Sequence, residues 1–309
     1  MILAPLRGVT IRCFRETFAD EIRAAGFTEA ITPFITANAG YDPLRDRELS
    51  GRPSRFCTSG EDTASPLCGC VKSGEAVSSP LHLKVTPQFI GKDPEALRVC
   101  LEKVKAAGYD TADLNCGCPF PMVRNKGRGS GILRTPDVLR RMLEVGCEVM
   151  SPGKFSIKAR LGVDRTDELL RLMPMINEFP LRFLTVHART ARQMYTGVCD
   201  AEGLKRVEEA SKVPIVQNGD LPFRCPPPTS TSSLMIGRSF IRYLGTRDDS
   251  DDLLNRYIAA SQAELCGDRP VLGRMKELIS YWKDLPRWKS RWNIIKLCRT
   301  VDELKSCLV

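Results

Sequence analysis

The sequence predicts an α/β protein, a (β/α)8 barrel followed by a small all-helical C-terminal domain. Two observations point there. Eight short runs rich in Val, Ile, Leu and Thr recur through residue 238, with amphipathic stretches between them, the alternation of a parallel sheet wrapped by helices. Chemically unusual residues then fall repeatedly just after the ends of those runs: Pro5, Gln88, Cys118, Lys158, His187, Asn218 and Gly237. A barrel gathers such positions at one mouth, whereas a doubly wound open sheet, the alternative architecture, strings them along an edge.

The eight strands are expected at 1–5, 28–35, 81–90, 111–116, 155–160, 182–188, 213–218 and 233–238. The stretch 93–108 is the clearest helix. Its apolar positions Leu97, Cys100, Leu101 and Val104 follow the i, i+3, i+4, i+7 pattern, Asp93-Pro94 forms the start signal and Gly108 the stop. A second amphipathic helix is expected over 135–150. Two regions break the rhythm. Residues 43–80 are long and rich in Ser, Gly and Pro, an insertion, and "PFRCPPPTSTSS" occupies the place of the seventh helix, where three consecutive prolines forbid one. The first domain is expected to run over 1–242. Residues 243–309 read as helical throughout, and Arg269 to Arg299 carry a net charge of +7 with Trp282, Trp288 and Trp292 interleaved. That pattern fits either a solvated helical face with a small tryptophan core or a nucleic-acid surface.

Bulk properties narrow the classes. A hydrophobic fraction of 42% with 27% charged residues excludes global disorder. No apolar run approaches the ~18–20 residues of a membrane span, and "MILAPLRGVT" reads as a strand rather than a signal peptide, so a cytoplasmic protein is expected. Thirteen cysteines, an odd number spread over the chain, do not form a disulfide framework. Cys100, Cys147, Cys266 and Cys298 are expected as small buried hydrophobes in helices. Cys68-Gly69-Cys70 lacks a partner pair at ligand spacing, and His82 and His187 are the only histidines, so no metal site is expected. The net charge of +9 permits a polyanionic partner.

The chemistry-bearing segments sit at the strand ends. "VQNGD" and "MIGRS" close the last two strands, where barrels commonly hold a phosphate; Gly219 and Gly237 let the backbone approach and Arg238 offers a paired contact. Lys158 and Arg160 alternate on one strand and His187 and Arg189 on the next, so each pair points to one side. An inward lysine at a barrel mouth needs an anion or an electron-rich ligand such as a flavin edge. "RNKGRGSG" (124–131) is not a phosphate-binding P-loop and reads as a flexible cover over the mouth. In "ADLNCGCP" (112–119), Cys118 points into the mouth if Cys116 is tucked away, and a thiol of ordinary pKa about 8.5 is protonated at neutral pH and able to act as an acid.

The ordered set "LAPLRGV", "QFIG", "DLNCGCP", "KGRGSGILR", "SIKARLG", "VHARTARQMYTG", "QNGD" and "MIGRS" resembles the tRNA-dihydrouridine synthases over nearly the whole chain. "DLNCGCP" and "RMKELISYW" are most similar to the bacterial C-type branch, which acts on uridine 16 of the tRNA D-loop. The resemblance implies a monomeric flavoenzyme with FMN at the barrel mouth, reduced by NADPH, that reduces the C5–C6 bond of a flipped uracil in tRNA, with Cys118 as proton donor. It implies that Pro5, Leu6, Arg7 and Gln88 line the flavin, that Lys158 and His187 meet its ring edge or ribityl chain, and that Asn218, Gly219, Asp220, Gly237 and Arg238 hold its phosphate. Asn115, Arg160 and Arg189 would face the substrate, and Lys289 and Arg291 would bind tRNA on the helical tail. Leu6 and Arg7 stand where the family has methionine and a small or acidic residue, and Pro33 replaces an acid of the C-type branch. The other readings of the same residues are an FMN barrel reducing a small molecule and a tRNA-binding barrel without flavin.

Overall fold

The computed structural model describes residues 1–50, 83–223 and 233–308. Ten strands form two parallel arcs. β1 (Ile2–Leu3), β2 (Glu29–Ile31), β4 (Lys84–Thr86) and β10 (Met235–Ile236) make one, in the order β10-β1-β2-β4. The other runs β3 (Ile35–Thr36), β5 (Gln88–Ile90), β6 (Ala112–Cys116), β7 (Phe155–Gly162), β8 (Leu184–Thr190), β9 (Ile215–Asn218). β2 and β3 are halves of one path through the sheet, as are β4 and β5. The expected second and third strands are each interrupted, at Thr32–Phe34 and at Pro87, because Pro33 and Pro87 have no N–H to give a ladder. A bridge between Gln217 and Leu234 joins β9 to β10, so the arcs close into an eight-path barrel. All eight expected strands are present.

Helices wrap the barrel: α1 (Arg12–Thr17) and α2 (Ala19–Ala24) after the first strand, then α3 (Pro94–Ala106), α4 (Pro121–Arg124), α5 (Pro136–Met150), α6 (Glu168–Ile176), α7 (Ala201–Ala210) and α8 (Arg238–Leu244). In α3 the Asp93 carboxylate accepts from the N–H groups of Glu95 (3.0 Å) and Ala96 (3.3 Å), and the stripe Leu97, Cys100, Leu101 and Val104 is fully buried. Most of the 43–80 insertion lies outside the described residues, as do His82, Cys68 and Cys70. The proline connector does so as well from residue 224 to 232; Leu221–Phe223 before it is not helical.

Strand alternation divides the interior. Leu114, Cys116, Ile157, Ala159, Val186 and Ala188 face out into the helix layer. Ile2, Ala4, Ile31, Phe183, Val216 and Met235 form a small apolar cluster of their own. Towards the C-terminal ends of β5 to β9 the inward positions are Gln88, Asp113, Asn115, Lys158, Arg160, His187, Arg189 and Asn218. Polar and cationic side chains fill that end of the barrel in place of hydrocarbon.

The tail forms α9 (Ser250–Glu264), α10 (Asp268–Ser280), α11 (Pro286–Ile295) and α12 (Val301–Ser306). It does not stand apart. Leu253, Tyr257, Met275, Trp282 and Trp288 share one hydrophobic cluster with Leu3, Phe14, Phe18 and Phe240 of the barrel, and α8 spans the expected boundary at 242/243. Of the two roles open to the tryptophans, packing is the one they take. Trp282 and Trp288 are fully buried, with indole N–H groups donating to the carbonyls of Ile241 (2.7 Å) and Gly245 (3.0 Å), so they join the tail to α8 and are not base-stacking platforms. Trp292 packs against the same cluster partly buried. Cys100, Cys147 and Cys298 are buried as expected, whereas Cys266 is exposed in the bend between α9 and α10, because the helix ends at Glu264.

Trp282→Ala removes the ring that links tail and barrel, and should destabilise the whole chain by ~3–5 kcal/mol in one cooperative urea transition. Loss of the tail alone, with the barrel transition unmoved, would contradict the shared core.

Candidate active site

The strand ends open into one cavity of about 1590 Å³. That exceeds the ~300–1,000 Å³ typical of a small-molecule pocket, leaving room for a cofactor and a second ligand together. Of the expected cofactor residues, Pro5, Leu6, Arg7, Lys158, His187, Asn218, Gly219, Asp220, Gly237 and Arg238 line it, as do Cys118, Asn115 and Arg160. Four expected residues do not. Gln88 and Arg189 lie fully buried one layer behind the wall, and Lys289 and Arg291 sit on α11 away from it.

β6 ends at Cys116, and the turn that follows sends the two cysteines apart. Cys116 faces outward and is fully buried in the helix layer, while Cys118, past the strand end, reaches the cavity wall at 5% exposure. Asn115 fixes the turn between: its Oδ1 accepts from the N–H of Gly117 (3.1 Å) and of Cys118 (2.8 Å). Burial pushes the Cys118 thiol up, against the opposing pull of the Phe120 backbone and of Arg160, Arg7 and Lys158. The thiol therefore keeps its proton at neutral pH. The 124–131 loop is no free flap. Ser130 donates from both N–H (3.1 Å) and hydroxyl (2.9 Å) to the Cys118 carbonyl, and Gly131 packs so tightly that a Cβ there would meet the Arg124 carbonyl at 2.2 Å.

Lys158 lies across from Asn115 on the neighbouring strand. Its ammonium donates to Asn218 Oδ1 (3.0 Å), its one hydrogen-bond partner among the described residues, and Asn218 is held in turn by donation to the Met235 carbonyl (2.8 Å). Burial, with Arg160 nearby, lowers Lys158 to about 8. Arg160 spends Nε on the Gly117 carbonyl (3.0 Å) and Nη1 on those of Thr190 (2.9 Å) and Met194 (2.7 Å). His187 pairs with Arg160 in the sheet register and accepts at Nε2 from Arg189 (3.3 Å), which puts its proton on Nδ1. Burial, then Lys158, Arg160, Arg189 and Arg238, hold the ring neutral.

At the other end, Gly219 has φ +111°, and a Cβ there would lie 2.4 Å from His187 Cδ2, so only glycine fits. The Asp220 carboxylate bonds both Arg189 and Arg238. An anionic side chain held this way orients the two arginines and does not itself meet a phosphate. Sequence reasoning missed Tyr195, whose ring lies between Arg160 (5.4 Å) and Arg238 (4.9 Å). It also missed Glu277 and Tyr281, which the tail contributes to the wall from α10 and the residue that follows it. Tyr195 stood inside a quoted motif; the two tail residues carried no local signal, because only tertiary packing brings them there. Arg7, Lys126, Arg128, Lys158, Arg160 and Arg238 line the cavity against Asp46, Asp220 and Glu277, so it is net positive. Among the described residues no cluster of potential metal ligands occurs.

Residues 62–239 match the dihydrouridine synthase family. The chain is 28% identical to a probable tRNA-dihydrouridine synthase of Helicobacter pylori strain J99 over 88% of each chain. It is 27% identical to the tRNA-dihydrouridine(16) synthase of Pseudomonas putida strain KT2440, over 90% of this chain and 86% of that one. An old yellow enzyme homologue from Zymomonas mobilis has a similar fold, with a TM-score of 0.51 at 10% identity over 78% of this chain and 85% of that chain. The family match makes the chain a flavin-dependent oxidoreductase, a class the barrel fold alone would not fix. Within that class, the chain belongs to the dihydrouridine synthase family.

The two motif cysteines should differ in reactivity. Iodoacetamide followed by peptide mass spectrometry is expected to label Cys118 well ahead of Cys116; equal labelling would contradict their opposite orientations.

Proposed function

We propose that the protein is a tRNA-dihydrouridine synthase of the C-type branch, reducing the C5–C6 bond of uridine 16 in the D-loop with FMN as cofactor and NADPH as reductant, in the cytoplasm. One observation carries the reading: a protonated thiol, Cys118, shares a cavity with a recessed ammonium, Lys158, whose one hydrogen-bond partner among the described residues is an amide. The matched family and the relatives named for position 16 support the substrate and its position.

The residues fit FMN. Lys158 suits the electron-rich edge of the ring, and neutral His187 a hydrogen bond beside it. Gly219 and Gly237 line the end suited to the phosphate, where Arg238, steered by Asp220, supplies charge. Pro5, Leu6 and Arg7 form the facing wall. When bound, FMN supplies hydride, taken from NADPH, to C6 of the uracil. Cys118 gives the proton to C5 from the other side, and Asn115 and Arg160 frame the base. A uracil inside a duplex cannot reach this depth, so the nucleotide must be flipped out. Lys126 and Arg128 at the mouth, and Lys283, Lys289 and Lys296 exposed on the tail, are placed to meet phosphates. Arg291 is a weaker candidate for tRNA contact, since it already pairs with Asp251 (2.7 Å). A small-molecule reductase would need neither the cationic mouth nor the basic tail.

Two outcomes test this. Cys118→Ala should leave flavin reduction by NADPH intact and slow its reoxidation by tRNA by about 10²–10⁴-fold, the usual worth of a general acid, in stopped-flow absorbance; unchanged reoxidation would remove Cys118 from the chemistry. Flavin affinity should also depend on pH. With Lys158 lowered to about 8 in the free protein and raised again by an electron-rich ligand, binding takes up a proton, so affinity falls as pH rises above about 8. Lys158→Met should flatten that profile in fluorescence titrations, and a variant profile like that of the unaltered protein would exclude Lys158 as the partner.

A further inference from the structure

Behind the cavity wall runs a continuous line of buried hydrogen bonds. Ser156 Oγ donates to Asp113 Oδ2 (2.7 Å). Gln88 Nε2 donates to Asp113 Oδ1 (2.7 Å). Asn115 Nδ2 donates to Gln88 Oε1 (2.8 Å), and Asn115 Oδ1 accepts from the Gly117 and Cys118 N–H groups. Ser156, Asp113 and Gln88 are fully buried, and Asn115 is 8% exposed. Three adjacent strands supply the line through their register, Gln88 opposite Asp113 and Asp113 opposite Ser156.

The line has a direction. An ionised carboxylate only accepts, so Gln88 must turn its NH2 towards Asp113 and its carbonyl towards Asn115. Asn115 must then turn its NH2 towards Gln88, which leaves its carbonyl facing the two turn N–H groups. Reversing any amide would set like groups against each other in a dry site, at the cost of an unmade hydrogen bond. Burial pushes Asp113 up to about 6, with Ser156, Gln88 and Lys158 pulling it down and Glu29 pushing it up, so the carboxylate is charged at neutral pH and above.

We propose that Asp113 and Gln88 are positioning residues for Cys118, forming a one-way relay that dictates which atom of the Asn115 amide faces the Cys118 turn. In this relay Gln88 acts on the turn through Asn115. The catalytic consequence rests on Cys118 being the proton donor; the structural consequence does not.

The test exploits the direction. Asp113→Asn removes the acceptor-only end and lets both amides flip. Gln88→Glu in the same chain restores it one position along. The carboxylate introduced at position 88 accepts from the amide introduced at position 113, and again forces the Asn115 NH2 inward. In the purified full-length protein without added ligand, iodoacetamide labelling of Cys118 should be faster in Asp113→Asn by about tenfold, the worth of one buried hydrogen bond. In Asp113→Asn/Gln88→Glu it should return to within about threefold of the unaltered protein, the coupling expected of residues in one network. Reoxidation by tRNA, followed from fully reduced, flavin-saturated protein, should fall and recover in parallel. If the single variant does not fold and the double one does, that is the same rescue. Unchanged labelling in Asp113→Asn, or a double variant no better than the single in folding or labelling, overturns the relay. Labelling that follows the relay while reoxidation ignores it leaves the relay standing and removes Cys118 from proton transfer.

Discussion

The constraint on which the rest depends is the burial of cationic side chains at the C-terminal end of a barrel. Lys158, Arg160 and Arg189 point inward beside His187 because strand period and the Arg160–His187 register put them there. Taking such charges from water is expensive unless each is paired and bonded. Arg160 is met by three backbone carbonyls, and Arg189 by the carbonyls of Thr196 and Gly197 and by Asp220. Lys158 is met, among the described residues, by an amide alone. Its positive charge is thus left without a hydrogen-bonded anion among those residues. The downward shift of Lys158 and the neutrality of His187 follow from the same crowding.

That charge shapes what surrounds it. The Asn115 turn sets a protonated thiol beside the neighbouring strand, and the relay from Asp113 holds that turn through uncharged amides. Asp220 neutralises only the arginines at the far end. The helical tail completes the enclosure. Its core is continuous with that of the barrel, and through Glu277 and Tyr281 it forms part of the wall. A tail that supplies cavity residues is coupled to whatever the cavity binds.

Much of this was legible in the chain. The eight strands could be read because buried parallel strands are written as short β-branched runs. Cys116 and Cys118 lie two apart, which strand alternation alone would put on one face; the turn held by Asn115 is what parts them. The interruptions at Pro33 and Pro87 were also written there, since proline lacks the ladder donor, yet the runs around them read as continuous strands. Gln88 and Arg189 were expected at the ligand surface because they sit at strand ends; depth within a layer is not encoded locally, and both lie one row behind. The tryptophans left two readings open, because composition does not reveal which side of a helix packs on the barrel. Tyr195, Glu277 and Tyr281 reach the cavity through loop and tail packing, which no periodicity announces.

The most direct measurement is a map of dihydrouridine in tRNA from cells that have this protein, cells that lack it, and cells that carry only Cys118→Ala. The account predicts dihydrouridine at position 16 in the first and its absence from the other two. Dihydrouridine at position 16 in cells without the protein, with no other position changed, would contradict it.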